Sequence, residues 1–126
     1  MPQAAAANAQ NRERILTHAV VEVTRHLDIS SVELGRILGV SQASASRLMR
    51  NEMMLRENAK HWEFAALFVR LYRGLFSIVG NNDALAREWL KSRNLAFGNE
   101  IPLQVIQKAA GLVHACDYID AHRAPA

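Results

Sequence analysis

The chain has one cysteine, Cys116, in 126 residues. That excludes an internal disulfide and any metal site built from several thiolates, and it fits a reducing, cytoplasmic compartment. No apolar run reaches the ~18 residues that a membrane span needs. The longest, WEFAALFVRLYRGLFSIVG from Trp62, is interrupted by Glu63, Arg70 and Arg73. The opening MPQAAAANAQ has no basic stretch followed by an apolar core, so it does not read as a signal peptide. Its composition instead predicts a disordered lead-in over residues 1–10. No segment alternates with period two, no repeat is present, and no catalytic constellation can be assembled. The five histidines, His18, His26, His61, His114 and His122, lack HExxH or Cys/His spacing. Gly80, Gly98 and Gly111 do not form a phosphate-cradling loop. Cys116, between Val113 and Ile119 on an apolar face, reads as a buried thiol and not a nucleophile. An enzyme is not expected, nor a cofactor or a metal.

Half of the residues are hydrophobic, enough to bury a core, and the periodicity is helical throughout. The expected fold is all-α with six or seven helices. Residues 11–60 should form one region and residues 61–126 a second. In NRERILTHAVVEVTRHLDI, Ile15, Leu16, Ala19, Val20, Val23 and Leu27 recur at helical spacing. Ser30 and Glu33 make a capping box, Gly39 stops the helix it opens, and Ser41 caps the next. Residues 51–60 read as a connection. From His61 to Val79 the chain is apolar on nearly every face, as a central helix or one at a subunit interface would be. GNND at 80–83 is a stop followed by a cap. Residues RNLAFGNEI form a loop, Pro102 opens a further helix, and Gly111 is a candidate interruption of it.

The net charge is +3, with eight Lys/Arg against six Asp/Glu in residues 1–60 and seven against six in 61–126. This mild excess permits a nucleic-acid partner without requiring one. More specific is SVELGRILGVSQASASRLMR, residues 31–50. Leu34, Leu38, Val40, Ala45 and Leu48 pin two short helices together, Gly35 lets them approach, and Gly39 makes the turn. Ser41, Gln42, Ala43, Ser44, Arg47 and Arg50 are then left outward. Gln reads an adenine edge in two places and Arg a guanine edge, while Ser41 and Arg50 suit phosphates. An αα-corner with no DNA partner would share the glycine and leucine spacing. The capped, polar outer face favours DNA. The stretch resembles the Xre (cro/repressor-like) helix-turn-helix over about residues 11–57, with Ala45 where that family usually has a larger aliphatic.

Further on, the chain reads G-N-N-D-x-L-A-x-E-W-L-x-x-x-N-x-x-F-G-N-x-x-P-L-x-V-I from Gly80, followed by Gly111, Val113, Asp117, Tyr118 and Ile119. The combination of Trp89, Asn94, Phe97, Gly98 and Pro102 resembles the toxin-binding domain of Xre/MbcA/ParS-type antitoxins. Together with the helix-turn-helix, the resemblance covers roughly residues 11–123. It implies a type II antitoxin whose partner is a RES-domain toxin, of a family that degrades NAD⁺. The antitoxin would obstruct the toxin's active-site cleft and, as a homodimer, repress its own operon. On this resemblance the toxin contacts fall on Trp89, Asn94, Phe97, Gly98 and Pro102, and in the tail on Asp117, Tyr118, Asp120 and Arg123. Read from the residues alone, Trp89 is a core position, Asn94 and Gly98 serve the backbone turn, and the tail is a solvated helix. A stand-alone transcription regulator, or a pure toxin inhibitor without DNA affinity, would fit the same residues.

Overall fold

The computed structural model describes residues 2–123; Met1 and residues 124–126, the two ends of the predicted lead-in and tail, lie outside it. Among the described residues there are seven helices and no strand. In chain order they are α1 (Pro2–His26), α2 (Ser31–Leu38), α3 (Gln42–Met49), α4 (His61–Ile78), α5 (Asp83–Lys91), α6 (Pro102–Val105) and α7 (Ala109–His122), with a 3₁₀ turn at Leu95–Phe97. The expected all-α class is what forms.

Helix α1 begins at Pro2, so the lead-in expected to be disordered belongs to a helix. Its alanines have the highest helix propensity of any residue, and Pro2 is tolerated in a first turn. Residues Ala4–Ala7 are exposed, and burial starts only at Glu13, Thr17 and Val20. Propensity therefore extends a helix whose tertiary packing begins a few turns later.

The local signals at α2 and α3 act as the sequence indicates. Ser30 Oγ accepts from the Glu33 amide at 3.2 Å, and the Glu33 carboxylate accepts from the Ser30 amide at 2.9 Å. Gly39 closes α2 at φ 74°. A β-carbon on Gly35 would lie 2.9 Å from the Val40 carbonyl oxygen, so this glycine sets the approach of the turn to α2. Ala45 and Leu48 are fully buried beneath α3.

Helix α4 is the centre of the molecule, packed by α1, α2, α5 and α7. Its apolar residues Ala65, Phe68, Val69, Leu71 and Leu75 are buried within the chain. The exposed stripe is Glu63, Ala66, Arg70, Arg73 and Ser77. The central position of α4 covers most of its apolar residues, while Trp62, Leu67 and Ile78 stay partly exposed. One core runs through both halves, from Val20 and Leu34 to Leu112 and Ile119.

Helix α6 ends at Val105, and α7 starts anew at Ala109, so the break precedes Gly111 and does not fall on it. The role of Gly111 is close approach. A β-carbon there would sit 1.9 Å from the Val105 carbonyl oxygen, so only glycine lets α7 fold back against α6.

Candidate functional site

Two outward faces, and a seam that joins α5 to the end of α1, carry the polar and aromatic chemistry. The first face is α3. Ser41 Oγ accepts from the Ser44 amide at 3.1 Å and also bonds the Ser44 hydroxyl. Arg47 Nη2 donates to Ser44 Oγ at 3.3 Å, and Gln42 Nε2 donates to Ser31 Oγ at 3.4 Å. Gln42, Ala43 and Arg47 are exposed, and the helix QASASRLM contains no acidic residue. These weak, local bonds hold the side chains in place and are easily exchanged for others. Arg50 differs. Its guanidinium donates to Glu52 at 3.2 Å and to Ser46 at 2.9 Å, so it has a carboxylate partner within the chain.

The second face is aromatic and is assembled from three separate elements. Trp89 of α5, Phe97 of the 3₁₀ turn and Tyr118 of α7 pack together, with ring centroids 5.8 Å apart for Trp89–Phe97 and 5.1 Å for Phe97–Tyr118. His114 meets the Phe97 edge at 5.2 Å, and His122 lies 4.1 Å from Tyr118, so three residues one turn apart on α7 share the cluster. Each aromatic pair adds about 0.5–1.5 kcal/mol beyond the area it buries.

The connecting loop is held by its own backbone. Asn94 Oδ1 accepts from the Ala96 amide at 2.9 Å, and the Asn94 amide donates to the Glu100 carbonyl at 3.0 Å. Gly98 and Asn99 take φ of 65° and 63°, which closes the turn. Arg93 donates to the Asn99 carbonyl at 3.0 Å. The result presents Leu95 to solvent at 87% exposure. Beside it, Val79, Leu85, Trp89, Arg93 and Asn94 line an open cavity of about 340 Å³.

The predicted motif residues therefore divide by role. Phe97, at 6% exposure, and Pro102 are buried. They shape the face and offer little surface of their own. Asn94 and Gly98 fix the turn, and Trp89, half-buried, shows one part of its ring. The tail divides as well. Tyr118 joins the aromatic face, and Asp117 is exposed on the adjoining ridge. Asp120 and Arg123 point elsewhere: Asp120 pairs with Arg70 of α4, and the Arg123 side chain runs close to Gly74 of α4. The structure thus does not gather the four tail residues into one site.

Leu85 and Leu95 are exposed apolar residues beside this face that the sequence reading did not single out. Leu85 stands four residues before Trp89, on the same side of α5, and Leu95 is an apolar residue in a loop with nothing to cover it. That pattern was available as a signal.

The seam ties α5 to the end of α1. Arg87 donates to the His26 carbonyl at 2.8 Å, and Lys91 donates to the Asp28 carbonyl at 2.8 Å, so two cations satisfy backbone groups where α1 stops. Asp83 accepts from Tyr72 at 2.8 Å and lies 2.6 Å from His26 Nδ1. Partial burial alone would raise the Asp83 carboxyl, but the bonds from Tyr72 and His26 outweigh it and hold it below the usual carboxylate range. Burial, and then the bond to Asp83, push the Tyr72 phenol up to about 12. Cys116 is buried, its thiol donates to the Leu67 carbonyl, and burial pushes it up to about 11. A thiol so raised is a poor nucleophile at neutral pH. Among the described residues no three His, Cys, Asp or Glu side chains converge as metal donors would. No described helix is long and apolar enough to cross a membrane.

Among the described residues the fold is all-helical, with a polar helix face and a separate aromatic face. Residues 74–124 match the family model described as the antitoxin Xre/MbcA/ParS C-terminal toxin-binding domain. The matched stretch starts at Gly74 in α4 and contains the whole aromatic face. It supports an antitoxin role with a toxin as partner. No curated protein matches the chain.

Proposed function

We propose that this protein is a type II antitoxin that neutralises a RES-domain, NAD⁺-degrading toxin and represses its own operon as a homodimer in the cytoplasm. The observation that carries the reading is the coincidence of the matched stretch with an exposed aromatic and apolar face: Leu85, Trp89, Leu95 and Tyr118. Partly exposed Trp and Tyr are residue types enriched at interface centres, and the exposed leucines extend the apolar area beside them. Seated on the toxin, this face brings Asp117 and Tyr118 against the active-site cleft. Asp120 and Arg123, engaged with α4, contribute only by leaving their present partners.

Operator binding is assigned to Ser41, Gln42, Ala43, Ser44 and Arg47. Gln42 and Arg47 read base edges, and the capped start of α3 meets a phosphate. Arg50 contributes less than its charge suggests, because Glu52 already neutralises it. That pairing also favours a second reading, a pure inhibitor with little DNA affinity. A homodimer would place two copies of α3 on a palindromic operator, with half-site spacing set by the protein's two-fold axis.

Co-expression with the neighbouring reading frame tests the proposal. Expression of the neighbour alone should arrest growth, with a fall in cellular NAD⁺, and this protein should relieve the arrest. A harmless neighbour, or an arrest that this protein leaves in place, rejects the antitoxin role. Relief of arrest with no gel shift on the operon's own promoter selects the pure inhibitor.

A further inference from the structure

A groove between α1 and α4 lies apart from both faces. Its floor is apolar: Ile15, Leu16 and Ala19 from α1, and Trp62, Ala66 and Val69 from α4. Its rim is four arginines, Arg12, Arg70, Arg73 and Arg123, and no carboxylate lines it. The cavity measures about 530 Å³, within the range of sites that hold a ligand. Ile15 is 53% exposed, although it stands on the apolar stripe of α1. Arg12 is bonded to Glu57 and Arg70 to Asp120, while Arg73 and Arg123 have no carboxylate partner among the described residues.

We propose that this groove docks an acidic amphipathic segment of a partner protein. An apolar trough between two helices accepts one apolar stripe of a third, anchored at i, i+3, i+4 and i+7. Arg73 and Arg123, the two without a carboxylate partner among the described residues, then meet the Asp or Glu side chains that flank such a stripe, and guanidinium–carboxylate pairs fix its register. A second copy of this chain is the poorer occupant. In a symmetric contact the same patch meets itself, which sets the arginine rim against the arginine rim. Nucleic acid would use the cations but leave Ile15 and Trp62 without an apolar partner. The groove shares no residue with the aromatic face; Arg123 is the one toxin-contact candidate that also lines it, so Arg73→Glu alone separates the two.

The test uses a short synthetic helix with leucine on one stripe and glutamate on the rest, fluorescently labelled, and the full chain. Binding should be measurable by anisotropy and roughly tenfold weaker in an Arg73→Glu/Arg123→Glu variant, as for loss of paired charges. Ile15→Glu, at an exposed position, should weaken it while the circular dichroism spectrum stays unchanged. Leu95→Asp, on the other face, should leave it intact. Several outcomes overturn the proposal. These are no binding, equal binding of a peptide with lysine in place of glutamate, or equal binding to the charge-reversed variant. A dimer seen in sedimentation and lost in Ile15→Glu would give the groove to a second copy instead. Duplex DNA binding lost in Arg73→Glu/Arg123→Glu would give it to phosphate.

Discussion

The two outward faces are built in opposite ways. The α3 face is local: ten consecutive residues, Ser41 to Arg50, supply the cap, the outward side chains and the turn's anchor. The aromatic face is collective, with Trp89, Phe97 and Tyr118 drawn from three elements. The first is polar, small-residued and free to exchange its hydrogen bonds. The second is an edge-to-face aromatic cluster with exposed apolar neighbours. A polar face of adjustable donors suits an anionic polymer read by edges, and a fixed aromatic face suits a folded protein. Helix α3 packs on α2 and α1, while α5 and α7 pack on α4, so the two faces share one core without sharing contacts.

The largest expected effect breaks the aromatic face at its support. Gly111→Ala drives a methyl into the Val105 carbonyl and should cost about 4 kcal/mol or more, read as a large fall in Tm. Because the core is shared, one cooperative transition should move, with no separate survival of the α3 region. Next is Leu85→Asp/Leu95→Asp. Both residues are exposed, so Tm should hold while toxin affinity falls by about 3 kcal/mol, measured by calorimetry. Operator affinity should be unaffected.

The reverse pattern follows for α3. Gln42→Ala and Arg47→Ala should each cost about 1–3 kcal/mol of operator affinity and leave toxin binding unchanged. Arg50→Ala should cost less than either. Smaller still, Ser30→Ala should lower stability by about 1 kcal/mol through the lost cap.

The seam supplies a pH test. The Tyr72 phenol is raised to about 12 in the fold, so its contribution is full below the unfolded value, about pH 10, and is lost as pH rises towards 12. The Asp83 carboxyl is lowered, so its contribution is present above the unfolded value, about pH 4, and is lost as pH falls below it. Tyr72→Phe should flatten the alkaline limb of a Tm-against-pH curve, and Asp83→Asn the acid limb.

The same contrast governs what the sequence made legible. Caps and turns are short-range chemistry, so Ser30, Glu33, Gly39, Ser41 and Asn82 could be read from their neighbours alone. Helical periodicity located α1 from residue 11 and α4, while caps and glycine stops located α2, α3 and α5. The extension of α1 to Pro2 was missed because a run of alanines has propensity but no amphipathic pattern. Gly111 was misplaced as an interruption because its reason is a carbonyl six residues back across a chain reversal. The tail looked like one polar unit in sequence. Helical geometry sends Tyr118 to one side and Asp120 to the other, and only the position of α4 fixes which side matters. For the same reason, removing the chain after Asp117 would be a poor test of the tail. It deletes Ile119, which is buried in the core.

Amide hydrogen exchange of the free protein and of its complex with the toxin tests the central claim most directly. Protection should appear at the end of α5, across Ser92–Asn99, and at the Tyr118 turn of α7, while amides from Ser41 to Arg50 exchange as before. Protection concentrated on α3, with none at the Leu95 turn, would contradict the assignment of the aromatic face to the toxin.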